Sequence, residues 1–197
     1  MEGPKFTVEY IRQLASEMSK NNLVPYEDLP RYDLFLSQVI DYLNDKFSEE
    51  NYTNNIVQNY IKSEVISKPE DGKKRGYTKL HLAQMVLLSH MRPILTTEEI
   101  TKVFRLAFNQ INDRTDDIIS WENAYKIFAE IQQHSFDEFL KVEYFDEEKL
   151  NEFIAENNLN EKDQERILVF LVVMTLIAQA SAIKKLVRKI VSEYDTD

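Results

Sequence analysis

Glycine and proline are sparse in this chain, and where they fall constrains the fold more than any other feature. The prolines are Pro4, Pro25, Pro30, Pro69 and Pro93, the glycines are Gly3, Gly72 and Gly76, and the 104 residues after Pro93 contain neither. Helix interiors tolerate these two residues least, so a run of that length without them predicts helices joined by polar turns. A composition of 43% hydrophobic and 29% charged residues is that of a chain able to bury a core. Cysteine is absent, which removes disulfides, thiolate metal sites and thiol nucleophiles at once.

Apolar periodicity places the helices. Val8, Ile11, Leu14, Ala15 and Met18 share one helical face, and the loop NNLVPYEDLPRY then ends that helix. A second helix from about Asp33 carries Leu36, Val39, Ile40, Leu43 and Phe47, and a shorter third, from Thr53 to Ser63, carries Ile56, Val57, Tyr60 and Ile61. Thr78 is placed to cap a helix through Leu82, Met85, Val86 and Met91. Thr96 and Glu99 have the spacing of a capping box for a helix through Ile100, Val103, Phe104 and Ala107. Beyond NDRTDD the pattern predicts helix only: Ser120 to about His134, Phe136 to about Val142, Asp146 to about Glu156, and Glu161 to about Tyr194.

The charge is as uneven as the glycines. The chain carries a formal net charge of −10, which by itself argues against a nucleic-acid partner. Between Thr53 and Arg92, however, seven basic residues face three acidic ones, a local +4 that leaves −14 for the remainder. The densest part, KPEDGKKRGYTK, also holds two of the three glycines. Just ahead of it, Thr53, Asn54, Asn55, Gln58, Asn59 and Lys62 occupy the non-apolar side of the third helix, where amides have the geometry to pair with adenine edges. Lys73, Lys74 and Arg75 between glycines are flexible cations suited to phosphate, contacts that position rather than specify. The bland alternative is a solvated row of amides followed by a polar hairpin.

TNNIVQNYIKSEVISKPEDGKKRGYTKLHLAQMVLLSHMRPILTTEEITKVF resembles the winged helix-turn-helix module of the MerR-type transcription regulators. Tyr60 matches the tyrosine near the end of that module's second helix, Val65 and Ile66 the hydrophobic pair leading into its wing, and Arg75 with Tyr77 the wing's closing R-x-Y. Gln58 and Asn59 stand where those regulators often carry Arg and Tyr, and Glu64 stands where a glycine usually turns the chain. With LPRYDLFLSQVIDYLNDKF ahead of it and helices behind, the whole is similar to a bacterial family, domain of unknown function 1836. The MerR resemblance implies double-stranded DNA as partner, with Thr53, Asn54, Asn55, Gln58, Asn59, Lys62, Lys73, Lys74, Arg75 and Tyr77 as contact residues.

Other signals are weaker. Ile167 to Ile183 is predominantly apolar over 17 residues and is followed by Lys184, Lys185, Arg188 and Lys189, but Thr175, Gln179 and Ser181 interrupt it. The expectation is a core or dimer helix rather than a membrane span. His81, His90 and His134 lack ligand spacing and are expected at the surface or half-buried, and no calcium loop, phosphate-binding glycine motif or catalytic triad stands out. No cofactor, metal or enzymatic activity is expected. The N-terminal stretch lacks the features of a secretory leader, which gives a cytoplasmic expectation. The fold expected is mostly α. Residues 1–112 form a winged helix-turn-helix-like module with a short β-hairpin wing, and residues 113–197 form a helical bundle or dimerisation region. The function expected is DNA binding as a transcription regulator, possible as a homodimer. The alternative is a protein-interaction or scaffold module on the same fold.

Overall fold

A computed structural model of the chain describes residues 6–21, 24–47, 51–69, 76–141, 152–153, 156 and 160–194, without the side chains of 18–21 and 136–141. The described chain is mostly helical, with one small hairpin. Its elements are α1 (Val8–Asn21), a 3-10 turn (Tyr26–Asp28), α2 (Leu36–Lys46), α3 (Asn54–Lys62), α4 (Lys79–Met91), α5 (Thr97–Arg105), β1 (Phe108–Gln110), β2 (Asp113–Asp117), α6 (Trp121–Lys141) and α7 (Glu161–Glu193). They form two compact units, Met1–Asn22 with Gln132–Leu186, and Leu23–Ile131 with Val187–Asp197.

The second unit holds the main core. Val39 and Leu43 of α2, Val57 and Ile61 of α3, Leu82, Met85, Val86 and Leu88 of α4, Ile100 and Phe104 of α5, and Trp121 and Tyr125 of α6 are all buried in one cluster. α4 lies at its centre, with every residue from His81 to Val86 buried, as a helix covered on all sides requires. Several polar groups that enter this core find partners, whereas Gln84 Nε2 and the Tyr42 hydroxyl are buried without one among the described residues. The Tyr125 hydroxyl donates to the Val24 carbonyl at 2.6 Å, and Tyr52 Oη lies 2.6 Å from Ser89 Oγ. Asn44 of α2 holds the backbone of Tyr52, just ahead of α3, at both its N–H (2.7 Å) and its carbonyl (3.1 Å).

Most helix starts fall where the caps predicted them. Thr53 Oγ1 accepts from the Ile56 N–H at 3.3 Å. Thr96 and Glu99 close their capping box, with the Thr96 N–H donating to Glu99 Oε2 at 2.8 Å and the Glu99 N–H to Thr96 Oγ1 at 3.3 Å.

Three expectations require correction. The helix from Thr97 stops at Arg105, and Leu106 and Ala107 tighten into i→i+3 turns onto Val103 and Phe104. Phe108 then leaves the helical path to stack on Trp121, ring centroids 3.4 Å apart at 11°, so Phe108–Asp117 becomes an antiparallel hairpin where helix and a polar connection were expected. Its turn is held by Asp113, whose Oδ1 accepts from both the N–H (2.9 Å) and the hydroxyl (2.6 Å) of Thr115. The helices expected at Ser120–His134 and Phe136–Val142 are one, α6, because no Gly or Pro interrupts them. Of the helix expected at Asp146–Glu156, only 152–153 and 156 lie among the described residues, and those three are helical. The expected β-hairpin wing falls largely on residues 70–75, which lie outside the described residues.

In the first unit, the Phe6 N–H donates to Glu165 Oε1 at 2.7 Å and ties the N-terminal segment to the start of α7. By length and composition α7 could cross a membrane, with a mean hydropathy of 2.2 over its most apolar 18 residues. Of the core or dimer helix that the sequence predicted, the structure buries the side chains of Val172 and Val191 and leaves most of the others exposed.

Candidate nucleic-acid interface

α3 is a short amphipathic helix whose two faces have separate tasks. Val57 and Ile61 are buried beneath it, with Ile56 and Tyr60 packed at their edges. Thr53, Asn54, Asn55, Asn59 and Lys62 are exposed; Asn55, Asn59 and Lys62 share the solvent face opposite Val57 and Ile61, whereas Thr53 and Asn54 are exposed at the helix start. Gln58 is half-buried, and its Nε2 donates to the Tyr77 hydroxyl at 3.4 Å. The Tyr77 ring is buried, with only 5% of its surface exposed. Burial raises its hydroxyl pKa and the Gln58 bond opposes that rise, so Tyr77 acts as an internal brace for Gln58 and not as an outward contact.

The chain leaves α3 by a tight reversal. The Val65 and Ile66 N–H groups both donate to the Tyr60 carbonyl, at 2.9 and 3.3 Å. The reversal needs a left-handed residue, and Glu64 takes it with φ 55°. This is the position where the sequence comparison expected glycine. Val65 and Ile66, the expected hydrophobic pair, are fully buried.

The two ends of the basic segment are tied down. On the incoming side, the Ser67 N–H (3.1 Å) and hydroxyl (2.9 Å) both donate to Gln84 Oε1. The Lys68 N–H donates to Asn112 Oδ1 at 2.9 Å, and the Lys68 carbonyl lies 3.2 Å from His81 Nε2. On the outgoing side, Tyr77 and Leu34 form an antiparallel bridge, with N–H to carbonyl distances of 2.8 and 3.3 Å. The Thr78 N–H donates to His81 Nδ1 at 3.0 Å. Since Nδ1 accepts there, Nε2 carries the proton and donates to Lys68, so one neutral imidazole caps α4 and holds the strand-like segment before the basic loop.

His81 is 1% exposed, against the expectation of a surface or half-buried histidine. It was missed because a histidine three residues after a threonine is not the usual Glu or Gln of a capping box, although that spacing is the signal that would have found it. His90 is half-buried as expected, between the rings of Phe47 and Phe128, and His134 is exposed. Among the described residues no group of three or more His, Asp or Glu is placed to hold a metal ion.

Lys62 and Lys68 are exposed and make no ion pair among the described residues. Beside Lys68 a surface cavity of about 480 Å³ opens between Glu64, α5 and the hairpin, with Arg105 on its wall. The remaining sequence-predicted cations, Lys73, Lys74 and Arg75, lie outside the described residues. The structure thus gathers Asn55, Asn59 and Lys62 on one face, leaves Thr53 and Asn54 exposed at the helix start, keeps Gln58 half-buried and withdraws Tyr77 into the interior.

A family model described as domain of unknown function DUF1836 matches residues 24–128. The chain belongs to this family. The DUF1836 region coincides with the continuous stretch Leu23–Ile131 of the second unit, so the family domain and the compact body that carries α3 are the same object. A relative, "Uncharacterized protein YkrK" of Bacillus subtilis (strain 168), is 27% identical over 119 residues, which is 54% of this chain and 50% of that protein. The chain therefore spans about half the length of that relative. No solved structure matches.

Proposed function

We propose that the DUF1836 domain of this chain binds double-stranded DNA as a transcription regulator, with α2 and α3 serving as a winged helix-turn-helix and residues 68–77 as its wing. The observation that supports it best is the exposed row Asn55, Asn59 and Lys62 on a capped helix, followed by a basic segment fixed at both ends. Asn is suited to bidentate pairing with adenine in the major groove. The start of α3, with Thr53 already satisfying one N–H, offers the others to a phosphate oxygen. Lys62 and Lys68, exposed at the surface, add the phosphate contacts on which affinity depends. The Leu34–Tyr77 bridge brings the chain ahead of α2 against the far end of the basic segment, an arrangement a wing needs if it is to stay beside the recognition helix.

The second reading, a protein-interaction module, draws support from the −14 carried outside the basic segment. Binding of the full chain to pooled genomic fragments at two salt concentrations, followed by sequencing, separates the two. For a DNA reader, Asn59→Ala alters the sequence preference. Arg75→Ala weakens binding to all sequences alike and lowers the salt slope by about 1. Failure to retain any duplex at low ionic strength refutes DNA binding and favours the protein partner.

A further inference from the structure

The cavity of about 480 Å³ beside Lys68 has a wall built from described residues of the DUF1836 domain. Its volume lies within the range of small-molecule pockets, and three charged side chains stand on it, Glu64, Lys68 and Arg105. All three are exposed, and neither cation is in an ion pair among the described residues. Amides of the hairpin complete the polar wall, and the bonds they already make fix what each has left to offer. Asn112 uses Oδ1 for the Lys68 N–H at 2.9 Å, which leaves its NH2 group to donate. Asn109 gives Nδ2 to the Asp116 carbonyl at 2.5 Å, which leaves Oδ1 to accept. Phe104 and Phe108, also on the wall, are buried, and both rings pack on Trp121.

We infer that this cavity binds a small phosphate monoester on a hydroxyl-bearing carbon body, the chemistry shared by sugar phosphates and mononucleotides. Charge selects the acid group. A phosphate monoester carries about −1.5 to −2 at neutral pH and so answers both cations, which a single carboxylate does not. Arg105 brings a planar fork of donors and Lys68 a point charge, the two forms in which proteins hold phosphate oxygens. Glu64 limits the ligand to one such group. Two cations and one carboxylate leave the wall with a net +1, so a second acid group would meet the Glu64 carboxylate, whereas a hydroxyl donates to it. The amides select the body: a donor on Asn112, an acceptor on Asn109 and both on Gln110 suit hydroxyls, which donate and accept. A duplex phosphate fits less well, because its neighbours along the strand would face Glu64. Lys68 is shared with the DNA reading, whereas Arg105 is not, so Arg105 separates the two.

The test is isothermal titration calorimetry on the full chain with no duplex present, paired with the fluorescence of Trp121, which stacks on Phe108 of the cavity wall. Ribose 5-phosphate and AMP are the probes, with ribose and inorganic phosphate as the two halves of the ligand. Saturable binding of either ester is expected at about 1 mM or tighter, with a change in Trp121 emission and about 10-fold preference over each half. The ester preferred tells a sugar phosphate from a nucleotide. Arg105→Ala, at an exposed position, should leave the urea unfolding midpoint unchanged and weaken binding about 10-fold or more, as loss of a charged hydrogen bond does. Arg114→Ala removes the same charge from β2, off the cavity wall, and should leave binding unchanged. No saturation by either ester at about 10 mM, inorganic phosphate bound as tightly as the esters, or equal losses in the two arginine variants overturns the proposal. So does weaker duplex binding by Arg105→Ala with no ester bound, which would give this cation to DNA.

Discussion

Replacing His81 by leucine should destabilise the DUF1836 domain and loosen the base of its basic segment together. Three hydrogen bonds are lost, those from the Thr78 N–H and hydroxyl to Nδ1, both at 3.0 Å, and Nε2–H to the Lys68 carbonyl at 3.2 Å. A buried backbone group left without a partner costs about 1–3 kcal/mol, but Thr78 is half-buried and Lys68 exposed, so water replaces part of each bond. Leucine still fills the site, and the net effect is expected at about 2 kcal/mol, near the upper end for a lost helix cap. For a chain of this size that is a fall in Tm of about 4–8 °C. His81→Gln restores the usual capping-box acceptor for Thr78 while giving up the Lys68 contact, and should recover about half of the loss. Trp121 is the sole tryptophan and is buried on Phe108, so its fluorescence in a urea titration reports on this unit directly. Wild-type stability in His81→Leu, or equal losses in the Leu and Gln variants, would refute the two-sided role assigned to this imidazole.

Two further outcomes follow from local geometry. Burial between Phe47 and Phe128 lowers the pKa of His90 below its ordinary value of 6.5. The unfolded chain then binds this proton first as pH falls, so its contribution is fully present above about pH 6.5 and declines as pH drops toward the lower folded value. His90→Phe should flatten the stability profile measured by urea unfolding between pH 7.5 and 5, and an unchanged slope counts against burial as the cause. Glu64 holds φ 55°, a conformation that costs a non-glycine residue roughly 1–2 kcal/mol. Glu64→Gly should therefore raise stability by about 0.5–1 kcal/mol in the same titration, after allowing for the entropy glycine gains in the unfolded chain, and a net loss would show that the Glu64 side chain has a role of its own.

The helices were legible because their signals are local. Thr53, Thr78 and Thr96 each precede a run of apolar residues at helical spacing, and each caps the helix expected of it. The solvent face of α3 was legible for the same reason, since burying Val57 and Ile61 leaves Asn55, Asn59 and Lys62 no other direction to face. What escaped depends on partners distant in the chain. Phe108 continues the apolar spacing of α5 and departs from it only because Trp121 offers a flat ring to stack on. Tyr77 reads as an exposed wing residue until Gln58 and Leu34 are seen to hold it inside. His81, Ser67 and Gln84 are ordinary polar residues in sequence, and only the fold brings them to bear on one stretch of backbone.

That stretch gives the basic segment its mechanical setting. A loop held at one end would carry its cations through a wide volume and lose much of their attraction to the entropy of ordering them. Here Lys68 is fixed by Asn112 and His81, and Tyr77 by Leu34 and Gln58, so the intervening residues span two points set by the core. His81 belongs to both anchors, since the imidazole that receives the Thr78 N–H next to Tyr77 also holds the Lys68 carbonyl. The ends of the basic segment are thereby coupled through one side chain of α4, the helix at the centre of the core. A partner that draws Lys73, Lys74 and Arg75 toward phosphate meets a segment whose anchors at Lys68 and Tyr77 are already placed. On the proposed DNA reading, His81→Leu should accordingly weaken duplex binding without changing the sequence preference, whereas a protein partner seated away from the basic segment would bind the variant as it binds the wild type.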